Sequence, residues 1–285
     1  MAYLFRSVVG NVVFDEHLSI LEGSAGSVIQ EIPAHLVPKA LKALKDPRFF
    51  SLFRKANIEL TKADIRTAVT EDVLIVQAVH MLDELHRAMN MLSTQFREWY
   101  GYYNPEFSWQ QTDNSKFIDC VASGAAPKAL DSMGGNLSKK DAVFLQEMSI
   151  KLGQLNSLKA DLEEYLDGLM GRVCPNVAAI TGFLIGAKLL EKAGSLRRLS
   201  ELSSQTVQVL GAEKALFRHL RNKRMLPPKY GLLHEHPLIM KAPKAEHGKR
   251  ARFLADKIAI ASKVDYFKGP FIGDRITNEL HQRFP

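Results

Sequence analysis

The residues of this sequence that are best suited to chemistry lie between 211 and 229, where cations are concentrated among turn-forming residues. Gly211 opens a helix-prone segment that extends to Leu220, the basic run 221–229 follows, and two prolines within that run, at 227–228, prevent the helix from continuing. This layout directs positive side chains and a helix N-terminus towards one surface, which suits phosphate groups or a joint surface of RNA and protein. Charge alone does not distinguish such a site from a solvated basic helix end.

The net charge of +7 is unevenly distributed along the 285 residues. From Pro175 onward the chain has 20 Lys and Arg residues against 9 Asp and Glu, whereas the preceding part has 18 against 22. The C-terminal part is therefore predicted to face a polyanion. RNA or DNA is favoured over a membrane surface, because the basic residues do not follow one face of a strongly amphipathic helix.

Other candidate sites in the sequence are weak. It contains no glycine-rich phosphate loop, dinucleotide motif or nucleophile elbow. His234 and His236 lack a third ligand at a recognised spacing, which favours a polar turn over a metal site. Cys120 and Cys174 occur in unrelated contexts and indicate reduced thiols. We therefore expect no catalytic residue, metal or cofactor.

Composition indicates a folded protein of the cell interior. The apolar fraction of 46% excludes wholesale disorder, and the length allows two domains or one domain with an extended element. The N-terminus does not resemble a signal peptide, and the most apolar stretch, 177–190, is too short to span a bilayer. We expect a soluble, cytoplasmic protein with no membrane partner.

The elements that position the basic segment fall into three predicted parts of a mainly α protein. The first, 1–65, is a small α/β module, with β-prone runs at 3–5 and 11–14, a loop at 23–27 and a helix ending near Leu44.

The second part, 66–173, is predicted to be a long antiparallel coiled-coil hairpin with turns and short helices at its tip. If its first helix is continuous from about Lys62 to Tyr103, that helix is about 60 Å long, which favours a hairpin over a plain bundle. Seam spacing alone does not exclude the bundle. The expected seam residues are Leu74, Ala78, Met81, Leu85, Ala88 and Leu92, then Phe144, Met148, Leu155, Leu158, Leu162, Tyr165 and Leu169, with Leu152 in place of the polar Lys151.

The third part, 174–285, is predicted to be an all-α domain. Gly182 and Gly186 are spaced to allow close helix packing, and further helices are expected at 248–262 and 274–282.

Several motifs resemble those of the Nop-domain family, the scaffold proteins of box C/D ribonucleoproteins. The most specific is Gln-Val-Leu-Gly-Ala-Glu-Lys-Ala-Leu-Phe-Arg at 208–218. Others follow in the family's order: Arg-Glu-Trp-Tyr-Gly at 97–101, Asn-Pro-Glu-Phe at 104–107, Cys-Pro-Asn-Val at 174–177, Ala-Gly-Ser-Leu at 193–196, Pro-Lys-Tyr-Gly at 228–231, Arg-Phe-Leu-Ala at 252–255 and Ala-Ser-Lys-Val-Asp at 261–265. The resemblance covers about 70–267, and the chain departs from the pattern at 219–225 and 232–236.

The resemblance implies a protein that is not an enzyme. In the family, the N-terminal module docks the methyltransferase fibrillarin, and the coiled coil self-associates into a homodimer. The Nop domain clamps a kink-turn of the box C/D guide RNA together with a small, ribosomal-protein-like kink-turn-binding protein. The complex directs ribose 2′-O-methylation during rRNA processing. The short chain without lysine-rich tails resembles the archaeal form. The related splicing factor, an RNA-modifying enzyme and a DNA-binding architectural protein are the alternatives.

The resemblance also suggests which residues bind. Glu213 and Lys214 are expected at the joint RNA–protein surface. The arginines and lysines that follow them in the sequence are expected to contact the RNA backbone. The full set is Gln208, Gly211, Ala212, Glu213, Lys214, Phe217, Arg218, Arg221, Lys223, Arg224 and Lys229.

Overall fold

The computed structural model describes residues 2–7, 10–15, 17–20, 29–45 and 47–284. The chain divides into two compact units, 1–70 and 71–285. The loop predicted at 23–27 lies outside the described residues. The boundary predicted at 173/174 falls inside the second unit, so the three-part division stays a prediction.

The first unit is the small α/β module expected from the sequence. Strands β1 (Ala2–Ser7) and β2 (Gly10–Phe14) pair antiparallel, and β3 (Ile29–Glu31) pairs parallel to β1, which gives the order β2-β1-β3. Helix α1 (Val37–Ala43) contributes to a small core with Phe14. A 3-10 turn then leads into α2 (Phe50–Ala68), whose residues are all exposed or half-buried.

A break at Val69 and Thr70 separates α2 from α3 (Glu71–Gly101), so the long helix considered from Lys62 to Tyr103 is not continuous. The Thr70 N–H donates to the Ala68 carbonyl oxygen at 3.1 Å, which closes a turn that leaves the helical path. Two β-branched residues in succession disfavour the helix there, and the acidic pair after them favours a new helix start. α3 is consequently about 46 Å long.

Helix α3 packs antiparallel against α6 (Lys139–Val173), which confirms the predicted hairpin. The start of α3 shares a buried core with the end of α6, as Leu82 and Leu166 illustrate. The end of α3 shares a second core with the start of α6, where Phe96 and Leu145 belong to one cluster.

The seam of the hairpin lies one residue beyond most of the predicted positions. The predicted Leu74, Met81 and Leu92 are exposed on α3, and so are Phe144, Leu158 and Tyr165 on α6. Ala78, Leu152 and Leu169 are buried, as predicted. The predicted and the observed seam residues form two neighbouring stripes with the same spacing of three and four residues, so the spacing does not distinguish them. The N-terminal half of α3 also packs against a third helix, which widens the face that α3 buries. The buried seam residues are Ile75, Ala78, Val79, Leu82, Ser93, Phe96 and Tyr100 on α3, and Leu145, Ser149, Leu152, Leu166, Leu169 and Met170 on α6.

The tip of the hairpin contains the short helices that were expected, α4 (Pro105–Gln110) and α5 (Asn114–Ala122). The side chain of Asn104 caps α4 and that of Asp113 caps α5. Of the aromatic run 99–103, Tyr100 is buried in the tip core whereas Trp99 and Tyr102 are exposed.

The remaining helices of the second unit are α7 (Pro175–Thr181), α8 (Phe183–Ala193), α9 (Leu196–Glu201), α10 (Ser204–Val209), α11 (Glu213–Arg221), α12 (Pro237–Met240), α13 (His247–Tyr266) and α14 (Gly273–Arg283). Helices α7, α9, α10, α12 and α14 pack against α13, and the helices expected at 248–262 and 274–282 are confirmed.

Only one of the two paired glycines makes the close approach predicted for both. A Cβ on Gly186 would lie 2.8 Å from Met170 Cε, so α8 packs closely on α6 there. Gly182 has a φ of 75° and open space around its Cα, and it separates α7 from α8.

A buried polar link ties α7 to α13. The Asp265 carboxylate accepts hydrogen bonds from the Asn176 amide side chain at 2.7 Å and from the Val177 N–H at 3.0 Å. Burial raises the pKa of Asp265, and these hydrogen bonds oppose that rise. The motifs at 174–177 and 261–265 are therefore joined by this capping interaction.

In the part of the chain that the structure describes, no helix has the length and apolar character needed to cross a membrane.

Candidate nucleic-acid interface

A tight turn at Gly211 starts the predicted binding segment. Gly211 has a φ of 88°, and a Cβ there would lie 2.6 Å from Leu232 Cγ. Its N–H donates to Glu213 Oε1 at 2.6 Å. Because the left-handed conformation and the close approach both exclude a side chain, glycine is required at this position. Glu213 thus has a local role in holding the turn that precedes α11.

The turn is held in place by a second segment of the domain, 229–232. The Gly231 N–H donates to the Gln208 carbonyl oxygen at 2.9 Å, and the Leu232 N–H donates to that of Leu210 at 2.8 Å. The Gln208 side chain returns a hydrogen bond to the Lys229 carbonyl oxygen at 2.7 Å. A Cβ on Gly231 would overlap the Leu210 carbonyl oxygen, so the two motifs are packed backbone to backbone.

Helix α11 projects into solvent along its whole length. Leu216 and His219 are half-buried, whereas Phe217 is 59% and Leu220 52% exposed. A helix with this little burial gains little stability from the domain beneath it. Its exposed apolar and cationic side chains are thus available to a partner.

The end of α11 differs from the prediction. The helix stops at Arg221, six residues before the first proline. Asn222 ends it, because its side chain accepts the Arg224 N–H at 3.1 Å and its carbonyl oxygen accepts the Met225 N–H at 3.0 Å. Lys223 and Arg224 therefore lie in the turn after the helix.

Among the described residues, the cations of this segment have no carboxylate partner, in contrast to three cations elsewhere in the second unit. Lys188, Arg250 and Lys257 are paired with Glu235, Glu246 and Glu279. Within the described residues, the binding-segment cations form no ion pair; they are Lys214, Arg218, Arg221, Lys223, Arg224 and Lys229. All six are exposed, so their positive charge is available to an anionic ligand.

A groove of about 790 Å³ adjoins the segment, and part of its lining was not among the predicted site residues. It brings Gln208 and Lys229 together with Gln205 on α10 and with Lys249 and Arg252 on α13. The basic start of α13 was visible in the sequence as the run Gly-Lys-Arg-Ala-Arg at 248–252. Its position beside Lys229 depends on tertiary packing, which the sequence pattern does not specify.

The side chains of His236 and Glu235, in the turn at 234–236, form hydrogen bonds and an ion pair within the protein. The His236 Nε2–H donates to the Ile180 carbonyl oxygen at 3.0 Å, and Nδ1 accepts the Leu238 N–H at 3.2 Å. Burial lowers the pKa of His236, so the neutral ring is favoured. Glu235 pairs with Lys188 at 2.9 Å. This is the polar packing turn that was favoured over a metal site.

Comparison with known proteins adds a family match to this geometry. The family model described as "Nop: snoRNA binding domain, fibrillarin" matches residues 81–285. No catalytic family is indicated by that model or by the relatives below.

The chain is similar to several longer proteins. It is 34% identical to a NOP5 family protein of Methanocaldococcus jannaschii, over 79% of this chain and 59% of the relative. It is 33% identical to nucleolar protein 56 of Mus musculus, over 74% and 41%, and 35% identical to nucleolar protein 58 of Aspergillus niger, over 68% and 37%. The match thus spans between about two fifths and three fifths of these relatives.

A solved chain has the same fold. It comes from the crystal structure of a fibrillarin/Nop5p complex and aligns with a TM-score of 0.51 at 24% identity, over 99% of this chain and 98% of that one.

Proposed function

Because this chain belongs to the Nop family, we propose that it is a non-catalytic scaffold of a box C/D guide ribonucleoprotein of the archaeal, cytoplasmic type. The observation that carries the proposal is the exposed helix α11 with its unpaired cations, which lies inside the region matched by the snoRNA-binding family model. Unpaired cations beside an exposed helix suit a nucleic-acid backbone.

The binding surface is shared by RNA and a second protein. Lys214 and Arg218 contact phosphates, and the exposed Phe217 and Leu220 are apolar positions for the kink-turn-binding protein. Leu220 is aliphatic and cannot stack on a base as an aromatic ring can, so its exposure favours a protein surface beside the RNA. This division of roles supports a composite ligand over bare RNA or duplex DNA.

The other two predicted parts bring further partners. The α/β unit docks fibrillarin, in keeping with the fibrillarin complex from which the structurally similar Nop5p chain comes. The hairpin self-associates into a homodimer through the apolar side chains that its own seam leaves exposed.

The test is reconstitution of RNA methylation from purified parts. Guide RNA, kink-turn-binding protein, fibrillarin and this chain are mixed, and each is omitted in turn. We expect target methylation only with the complete set, and RNA binding by this chain to depend on the kink-turn-binding protein. Turnover by this chain alone, or equal affinity for duplex DNA, would contradict the scaffold proposal.

A double variant tests the placement of the RNA. Lys214→Ala/Arg218→Ala is expected to weaken binding and to reduce the magnitude of the salt slope by about 2, or about 0.9 for each lost phosphate contact. Lys263→Ala/Arg275→Ala removes the same charge from exposed positions on α13 and α14 and is the matched control. Wild-type affinity and slope in the first variant would show that α11 does not contact the RNA backbone.

A further inference from the structure

A second groove, of about 500 Å³, lies between α10, α13 and the end of α14. Its aromatic residues are Phe253 and Phe284, whose rings meet edge to face with centroids 5.6 Å apart. Three cations line the groove with them, Lys249, Arg252 and Arg283. Aromatic side chains beside cations are the combination with which proteins hold unpaired nucleotides.

The charge balance of this groove is positive. Arg283 lies over the Phe253 ring, 4.7 Å from its centroid, and is exposed. Among the described residues, Lys249, Arg252 and Arg283 form no ion pair, and one carboxylate, that of Asp256, also lines the groove. Three like charges on one lining repel each other in the free protein, and a bound phosphate relieves that repulsion.

The second groove continues the first. Gln205, Lys249 and Arg252 line both of them, so one exposed face of α13 connects the α11 segment to the end of α14. An RNA strand that leaves the surface around Lys229 therefore meets cations along its path.

We propose that this second groove binds a single-stranded segment of RNA that adjoins the RNA held at α11. The backbone phosphates lie against Lys249 and Arg252, and a base stacks on the exposed guanidinium group of Arg283, which itself lies over the Phe253 ring. A groove of this volume matches a nucleotide-sized ligand, and a duplex offers no unpaired base to an aromatic surface. The inference rests on the proposed function, because it extends the RNA path from α11.

The experiment compares two RNAs and two variants in the presence of the kink-turn-binding protein. One RNA is the kink-turn alone, and the other carries a short single-stranded uridine extension at either end. We expect the extension to tighten binding by the wild-type protein at least about fivefold, since one stacked base contributes about 1 kcal/mol or more. Arg283→Glu abolishes this gain, whereas Arg275→Glu, an equal change at an exposed site on the same helix, keeps it.

The outcomes separate this proposal from the one it rests on. If the kink-turn RNA binds and the extension adds nothing at either end, the second groove does not bind RNA. If the kink-turn RNA itself does not bind, the scaffold proposal fails first. Lys249→Glu changes a second cation of the groove, on α13, so the test does not depend on correct folding of Arg283→Glu alone. Loss of the gain in both variants, with unchanged thermal unfolding, supports the groove, and retention of the gain in both overturns it.

Discussion

At the scale of single residues, the candidate interface depends on glycines whose role is geometric. Gly211 combines a φ of 88° with contact from Leu232, and its N–H is bonded to Glu213. The turn therefore sets the direction in which α11 leaves the domain. A side chain at Gly211 has to displace Leu232, which belongs to the segment paired with 208–210.

Gly211→Ala is expected to lower the free energy of unfolding by about 1–3 kcal/mol, because it adds both backbone strain and a steric clash. Its RNA affinity is expected to fall as well. Gly171→Ala is the control: Gly171 lies in the helix α6, and a Cβ there meets nothing within 4 Å. The control is expected to gain about 0.5–1 kcal/mol from the better helix former. Urea unfolding measures both, and equal effects of the two substitutions would contradict the role assigned to Gly211.

At the scale of elements, the sequence pattern located both hairpin helices but only part of the faces that they bury, such as Ala78, Leu152 and Leu169. Spacings of three and four residues identify a helix, and two neighbouring stripes satisfy them almost equally in α3, that of Leu74 and that of Ile75. The choice between them depends on α8, whose packing against α3 no local pattern shows. The α2–α3 break at Thr70 has a local signal, an acidic pair after two β-branched residues. The signal is weak, because the segment contains no proline or glycine, and a continuous helix was considered for that reason.

The binding segment illustrates the same limit. The motif at 208–218 is local in sequence and was recognised directly, and the basic character of α13 was also visible. That Lys249 and Arg252 line a groove with Lys229 follows from tertiary packing, and so do the backbone contacts of Gly231. Sequence reasoning therefore reached the residues of one segment and missed those contributed by a distant helix.

The one-residue offset of the seam has a measurable consequence. Leu166, one residue after the predicted Tyr165, is buried in the hairpin, whereas the predicted Leu158 is 52% exposed. Leu166→Ala is expected to lower the free energy of unfolding by about 2–5 kcal/mol, through lost burial and a cavity. Leu158→Ala, the same substitution on the same helix, is expected to cost less than about 1 kcal/mol in the monomer. Chemical denaturation of a dilute sample distinguishes them, and a larger loss at Leu158 would restore the seam first predicted.

At the scale of the whole molecule, acidic and basic character divide near Pro175. The first 174 residues carry 22 carboxylates against 18 cations, and the remainder carries 20 cations against 9 carboxylates. Both kinds of charge occur in the second unit, since it contains the hairpin as well as the helices after it. An anionic ligand is therefore attracted to the C-terminal helices. The hairpin does not attract it and is available for self-association through apolar side chains.

The exposed apolar side chains of the hairpin form a stripe. Trp99 on α3 meets Phe144 on α6 with ring centroids 5.6 Å apart, and each immediately precedes a buried seam residue. In an antiparallel pair, residues one position before the two seams lie on the same side. Met81 precedes the buried Leu82, and Leu158 precedes position 159, which lies seven residues from each of the buried Leu152 and Leu166, so Met81 and Leu158 belong to this face too. An exposed apolar stripe lowers the solubility of a protein unless a partner covers it. This is the physical basis for the proposed homodimer.

Met81→Glu/Leu158→Glu is therefore expected to weaken self-association at least about tenfold, because two charges have to be desolvated in the interface. The monomer fold is expected to persist, since both side chains are more than half exposed: 61% and 52%. Asn90→Glu/Ala160→Glu places the same charges at exposed positions outside the stripe and keeps the dimer. Sedimentation velocity over a range of protein concentrations measures the dissociation constant of each. A wild-type monomer would contradict the homodimer. A dimer that tolerates Met81→Glu/Leu158→Glu would place self-association on a different surface.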